Sequence, residues 1–338
     1  MRNFIFALFF VVSVNSLSAE AISEDSYIER RAAIDVGSGS TKITVADVDT
    51  ETNAILAILF EDTFSVPYQA NLEISYEGSF DESIRLEGLK TFYEIQDLTK
   101  NLGVQKISAV ATAAFREAIN GEEFAAEVRR ETNIPLQIID QHEEGKLAFM
   151  SGAAVSDVDE QNVVVWDIGT GSFQFTTLTE SGNIVVFMDS YGAVPFKNYI
   201  IEVVEELDIN SVTTPNPMTI DHIKDADSFA RFLGRQAQPI FKNKLNEKET
   251  VVIGIGRLFS ASIGPLGENN IINRDDLRLY IRASEGLSDE EMDNPFASSD
   301  VSNAILVLGF MKALHIQEIK IAETKSTHGI LLNKDYWK

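Results

Sequence analysis

Two short stretches of this 338-residue chain carry the residue types that phosphate chemistry needs. They are Asp35-Val36-Gly37-Ser38-Gly39-Ser40 and, 132 residues later, Asp167-Ile168-Gly169-Thr170-Gly171-Ser172. Both read Asp-x-Gly-x-Gly-Ser. Glycine lets a backbone approach an anion closely, and the exposed N–H groups and the Ser or Thr hydroxyls then donate to its oxygens. An aspartate just before each turn can hold hydrated Mg²⁺, an ion satisfied by one or two carboxylates, water and phosphate oxygens. One such stretch alone reads more readily as a polar hairpin turn. Two at matched positions read as the jaws of a clamp on one phosphate chain.

The other chemistry-bearing residues are few. Glu143 and Glu144 are adjacent, so on a helix they point about 100° apart, and one can face a cleft while the other faces away. Taken alone, such a pair near a helix start is more often a surface pair that offsets the helix dipole. His142, His222, His315 and His328 show neither HExxH nor i,i+4 pairing, so a histidine zinc site is not expected. There is no GxSxG elbow for a serine nucleophile. The absence of cysteine removes disulfides, thiolate metal sites, cysteine nucleophiles and a lipidated cysteine. Arg129-Arg130 and Lys242-Asn243-Lys244 read as solvated faces.

Both turns sit between strand patterns. Arg31–Val36 is a buried run, Thr41–Val48 alternates like a half-buried strand, and the pair predicts a hairpin. A third strand is expected over Ala54–Phe60. Ser79-Phe80-Asp81-Glu82 has capping-box character, and Leu86, Leu89, Phe92, Ile95 and Leu98 then predict an amphipathic helix ending near Gly103. Strand Ile107–Ala111, helix Glu122–Glu131 and strand Pro135–Ile139 continue the alternation. The second half repeats the opening with strands Val163–Ile168, Phe173–Leu178 and Ile184–Met188. Helices near 196–207 and 219–241, strand Val251–Ile255, helix Asn303–Leu314 and strand Ile319–Ile321 follow. Phe196, Tyr199, Ile200 and Val203 fall at helical spacing and are expected in the core. The fold class is α/β, in two related halves.

Composition limits the function further. The length is about that of two domains, and the hydrophobic fraction of 44% and charged fraction of 24% are those of a globular protein. A net charge of −24 disfavours nucleic acid and anionic membrane as partners. Met1-Arg2-Asn3, the apolar run Phe4–Val14 and the small residues around Ala19-Glu20-Ala21 predict a signal peptide over residues 1–21, cleaved after Ala19 or Ala21. No later stretch is apolar enough to span a bilayer, so the expected location is periplasmic or secreted.

The turns resemble the phosphate loops of the actin/Hsp70/sugar-kinase superfamily, and more narrowly those of the exopolyphosphatase/guanosine pentaphosphate phosphohydrolase family. Ala111-Thr112-Ala113-Ala114-Phe115-Arg116-Glu117-Ala118-Ile119-Asn120 resembles that family's ATxAxRxAxN stretch. Ile138–Leu147, with Glu143-Glu144-Gly145, resembles its EEA segment, and Asp189–Val194 its later S-x-x-G-A-V. The order and spacing agree from about residue 30 to 325.

The resemblance implies two duplicated ribonuclease-H-like domains with a cleft between them, in the short form without extra helical domains. Domain I would comprise 28–141 plus about 322–338, and domain II 142–321. Glu144 would activate the attacking water. Ser38, Gly39, Ser40, Lys42, Arg116, Gly169, Thr170, Gly171, Ser172 and Arg257 would contact phosphate, and Asp35 and Asp167 would hold Mg²⁺.

The pattern departs from the family at four places. Gln174 stands where the family has Glu, and Gly39 where it has Asn. Val66–Asn71 lacks the usual arginines, and Arg257 replaces a small residue. The expected activity is Mg²⁺-dependent hydrolysis of a phosphoanhydride, either a short polyphosphate or a polyphosphorylated nucleotide. The alternative is a non-catalytic sensor that binds the same ligands. A homodimer is compatible with either.

Overall fold

The computed structural model describes residues 27–338, so the expected signal peptide lies outside the described residues. The chain builds two sheets. Strands β1 (Ile28–Val36), β2 (Ser40–Asp49) and β3 (Ile55–Ser65) form an antiparallel meander, with β4 (Lys106–Ala111) and β5 (Leu136–Ile138) added parallel to β1 in the order β3-β2-β1-β4-β5. The second sheet repeats this. Strands β6 (Val163–Ile168), β7 (Phe173–Leu178) and β8 (Ile184–Asp189) form the meander, and β9 (Val251–Ile255) lies parallel to β6. Beyond β9, β11 (Glu318–Ile321) runs parallel and β10 (Ile271–Asn273) closes the edge antiparallel. The duplication expected from the paired turns is thus present in topology, and the molecule is the two-domain α/β fold inferred from sequence.

Both central strands are covered on both faces, which explains their near-continuous apolar runs. In β1, Ala32, Ile34 and Val36 join one core with Phe92 and Phe124, while Ala33 faces a second core with Ile330 and Trp337. In β6, Val164, Trp166 and Ile168 face one core, and Val163 and Val165 face Ala148 and Phe149.

Twelve helices complete the layers among the described residues. In the first half they are α1 (Tyr68–Glu73), α2 (Glu82–Asn101), α3 (Ala113–Glu117), α4 (Gly121–Thr132) and α5 (Gln141–Ala154). In the second they are α6 (Ala193–Tyr199), α7 (Ile220–Arg235), α8 (Pro239–Lys244), α9 (Arg274–Ala283), α10 (Asp289–Met292), α11 (Ala297–Ala313) and α12 (Ser326–Leu332). Two of them join the lobes. Helix α5 packs on β6, β7 and β8, α12 packs on β1 and β2, and the two helices pack on each other. At that crossing a side chain on Gly329 would collide with the Leu147 carbonyl, so only glycine permits it.

Several expected boundaries move. The cap of α2 is Asp81, which accepts from Ile84 N at 2.9 Å, not Ser79, and Leu86 is 58% exposed because the apolar stripe runs through Ile84, Leu89, Phe92 and Ile95. Strand β3 continues to Ser65, since β2 offers it partners throughout. The stretch 219–241 divides into α7 and α8, the second helix starting at Pro239, which cannot donate to a preceding turn. Helix α6 widens into a π-helical turn at Ile200–Val204, and Val203, expected in the core, is 57% exposed. Helix α11 starts at Ala297, six residues before the apolar run at Asn303 that signalled it.

Candidate active site

The two glycine turns end β1 and β6 and close in the same way. Gly37 N donates to Ser40 O at 2.9 Å, and Gly169 N donates to Ser172 O at 2.8 Å. Their carbonyls are held from outside the cleft. Ser38 O accepts from Gln69 N and Gly39 O from Val66 N, while Gly169 O and Thr170 O accept from Ala193 N and Val194 N. In a planar trans peptide the N–H points opposite to the C=O, so tethering these oxygens turns the following amides the other way, toward the cleft. Among the described residues the N–H groups of Gly39, Thr170, Gly171 and Ser172 find no acceptor. Gly192 abuts this frame so tightly that a β-carbon there would collide with Ser172 N.

The turns meet across the lobes. A β-carbon on Gly171 would lie 3.3 Å from Ser38 Oγ, and one on Gly39 would lie 3.6 Å from Thr170 Oγ1. They line one cavity of about 750 Å³ with Asp35, Lys42, Glu144, Asp167 and Arg257. Of the residues expected to touch phosphate, Ser38, Gly39, Ser40, Lys42, Gly169, Thr170, Gly171, Ser172 and Arg257 all line it, but Arg116 does not. Arg116 Nη1 donates to Ile139 O at 2.9 Å and lies 3.0 Å from Glu144 Oε2, a contact off-line for a hydrogen bond. Its placement suits holding Glu144 rather than contacting the ligand.

Glu144 occupies the first turn of α5. Asp140 caps that helix by accepting from Glu143 N at 2.8 Å. Gly145 and Gly152 bring the helix against Val186 and Val165. The two glutamates diverge as expected. Glu143 meets Lys146, Asn333 Nδ2 and Tyr336 OH, while Glu144 lines the cavity. Burial raises the Glu144 carboxyl to about 7; Arg116 opposes the rise, and Asp35 and Asp167 add to it. Burial likewise raises Asp167 to about 6, opposed by Lys42 and reinforced by Asp35.

The duplication gives the aspartates unequal neighbours. Each pairs with the residue seven positions on: Asp35 with Lys42 and Asp167 with Gln174. Lys42 Nζ sits 3.1 Å from Asp35 Oδ2, and the nearby carboxylates, Asp35 foremost, raise its ammonium above the usual lysine range. Asp35 Oδ2 also accepts a very short hydrogen bond from Ser326. Gln174 is 1% exposed and donates to Ser172 Oγ at 3.2 Å, bringing no charge to Asp167. Among the described residues no three His, Asp or Glu side chains converge as a preformed cage. The set nevertheless fits Mg²⁺, which commonly takes one or two carboxylates and leaves the rest to water and phosphate. Burial, with the nearby carboxylates as a smaller cause, raises Asp167 and Glu144, and a bound cation would offset both effects. Asp167 is the freer ligand, because Lys42 and Ser326 occupy Asp35.

The sequence reading missed one wall. Behind Asp35, Glu61 Oε1 lies 2.7 Å from His328 Nε2 and accepts from Thr44 Oγ1 at 2.9 Å, and Lys325 reaches Glu61 Oε2 at 3.3 Å. His328 Nδ1 pairs with Thr324 Oγ1 at 2.9 Å. On domain II, Ser262 Oγ donates to buried Asp300 at 2.5 Å and accepts from Asn303 Nδ2, leaving Asn303 Oδ1 without a partner. The polar run Thr324–His328 was the one available signal.

The profile of the Ppx/GppA phosphatase family matches residues 44–207, from the first meander through the second turn to α6. Over that stretch, just under half of its length, the chain is similar to the Ppx/GppA family. The resemblance read from the turns and the EEA-like segment therefore stands. Among curated proteins, the bifunctional 3-dehydroquinate synthase/phosphatase of Fusobacterium nucleatum is 28% identical over 184 residues. The match spans 48% of this chain and only about a quarter (26%) of that relative. The Ppx/GppA family member of Aquifex aeolicus superposes with a TM-score of 0.71 at 19% identity, covering 91% of this chain and 98% of its own. An exopolyphosphatase from Cytophaga hutchinsonii gives 0.69 at 17% identity, covering 90% and 96%. At these identities the two structures attest the fold.

Proposed function

We propose that this chain hydrolyses the terminal phosphoanhydride of a short polyphosphate or a polyphosphorylated nucleotide, with water as acceptor. The observation that carries this reading is the meeting of the two glycine turns across a cavity that also holds Glu144. Free amides of Gly39, Thr170, Gly171 and Ser172, with the hydroxyls of Ser38 and Ser40, suit equatorial phosphoryl oxygens. Lys42 and Arg257 supply positive charge on opposite sides, and Arg257 stacks over Phe296 at 5.4 Å. Glu144 accepts the proton of the attacking water, and Arg116 holds that carboxylate in place. The phosphorus–oxygen bond to the leaving phosphate breaks as the water oxygen bonds to phosphorus.

Mg²⁺ would be held by Asp167 with Asp35, and when bound it would offset charge on the phosphate oxygens. The acidic chain and the missing arginines at Val66–Asn71 favour few phosphates bound beyond the cavity. Export of the chain accords with the pattern of its first residues and with a substrate other than cytosolic ATP.

The deciding experiment is phosphate release from pyrophosphate, tripolyphosphate, long polyphosphate and guanosine pentaphosphate, with and without Mg²⁺. Release from short substrates that depends on Glu144 supports the proposal. Saturable binding without turnover of any of them establishes the sensor reading, which Gln174 favours by removing a carboxylate.

A further inference from the structure

The wall behind Asp35 holds a hydroxyl, an imidazole and a carboxylate in series. Thr324 Oγ1 lies 2.9 Å from His328 Nδ1, and His328 Nε2 lies 2.7 Å from Glu61 Oε1. Glu61 also accepts from Thr44 Oγ1 and meets Lys325 Nζ at 3.3 Å, the surroundings of an ionised carboxylate. A carboxylate can only accept, so the imidazole proton sits on Nε2 and the Nδ1 lone pair faces the Thr324 hydroxyl. This is the order in which a nucleophile, its base and the group orienting that base are arranged for covalent catalysis. Among the described residues no other Ser or Thr hydroxyl pairs with a histidine.

The backbone carries Thr324 across the cleft. Ala322 N donates to Gly254 O at 3.0 Å, next to the end of β9, where a β-carbon on Gly256 would collide with the Asp167 carboxylate. At the other end of this segment Ser326 donates to Asp35, which occupies its hydroxyl. Thr324 stands midway between the two, and it lines the same cavity as both glycine turns and Glu144. Thr324 and His328 are each more than nine-tenths buried, so the cavity is the side from which a reactant reaches the pair.

We propose that Thr324 is a self-modification site, accepting the terminal phosphoryl group of a phosphoanhydride bound between the turns. The inference rests on the reading of this cavity as a phosphoanhydride site. Thr324 Oγ1 bonds to the terminal phosphorus as the bridging phosphorus–oxygen bond breaks, and the electron pair of that bond leaves with the shortened phosphate chain. The hydroxyl proton passes to His328 Nδ1, giving an imidazolium that Glu61 stabilises. Glu144 serves the competing attack by water, so phosphoryl groups divide between water and Thr324.

The test is incubation of the whole chain with tripolyphosphate and Mg²⁺, followed by intact-mass measurement, peptide mapping and, on the same samples, phosphate release. The expected result is up to one phosphoryl group per chain, mapped to Thr324. Glu144→Gln, which loses the base for water but keeps His328, should carry at least as much label while releasing less phosphate. His328→Asn should slow labelling tenfold or more. Absence of label from both the parent and Glu144→Gln, a label mapped to another residue, or an unchanged labelling rate in folded His328→Asn would each overturn the proposal. The map on the parent protein decides the site even if His328→Asn does not fold. Phosphate release without label overturns this inference alone and leaves the proposed hydrolysis standing. Label without release upholds Thr324 and removes the hydrolysis, and neither label nor release removes both.

Discussion

At the scale of single residues, Glu144 is where burial and chemistry conflict. Its carboxyl is raised to about 7 by burial and by two neighbouring carboxylates, so ligand-free protein near neutrality holds it partly protonated. As the proposed base it must be ionised, and the proposed turnover should therefore rise with pH through about 7. Stability should run the opposite way. A folded pKa above the unfolded one contributes stability at low pH that is lost as pH climbs from about 4.5 to about 7, here of order 3 kcal/mol. Denaturant titrations from pH 4 to 8 should show that decline in the parent and a flatter profile in Glu144→Gln. Glu144→Gln should also lower kcat by about 10²–10⁴ while leaving ligand affinity within a few-fold. Glu143→Gln, whose side chain meets Tyr336 and Asn333, should keep nearly full kcat. Reversed outcomes for the two variants would mean that the base has been misassigned. Gln174 supplies a second test through its pairing with Asp167. Gln174→Glu should lower the Mg²⁺ concentration giving half-maximal turnover or ligand binding, and no change would show that Gln174 is not near the proposed metal.

At the scale of elements, the turns depend on what holds their carbonyls. The start of α6 does this for the second turn, and Gly192 allows it because no side chain fits between α6 and Ser172 N. Gly192→Ala should push α6 away, free the Gly169 and Thr170 carbonyls and weaken ligand binding by an order of magnitude. Gly182→Ala is a comparison of a different kind, since that glycine meets nothing within 4 Å but has φ +79 and so carries only local backbone strain. Calorimetric affinity for tripolyphosphate in both variants checks the argument, and equal losses would refute it. The same contrast explains what the sequence disclosed. The strands and turns were legible because buried β-runs and Asp-x-Gly-x-Gly-Ser are local signals, and because they occur twice. The Glu144 helix was legible through its own cap and neighbours. The Glu61–His328 wall was not, since those residues are 267 positions apart, and Ser326 meets Asp35 across 291. Periodicity carries no trace of such pairings. Arg116 shows the complementary limit: its presence near the site was legible, but its partner Glu144 was fixed only by the packing of α3 against the chain leading into α5.

At the scale of the molecule, the two lobes touch through their turns, and a ligand must enter between them. The absence of cysteine makes this testable without background. In Gly39→Cys with Thr170→Cys, the introduced side chains start from a 3.6 Å approach and should form a disulfide under mild oxidation. The oxidised protein should bind and turn over phosphoanhydrides at least tenfold less well than its reduced form, with recovery on adding dithiothreitol. A pair that resists oxidation would show that the lobes stand further apart in solution. The position of α12 carries a different consequence, concerning synthesis. It covers β1 and β2, yet it is translated after the entire second sheet. At ~5–20 residues per second, roughly 15–60 s separate the emergence of β1 from that of α12. Throughout that interval Ala33, Ala46 and Val48 lack the cover of Ile330 and Leu331. The lobe begun first is thus covered late, and its flank along Ala33, Ala46 and Val48 stays bare until α12 is made.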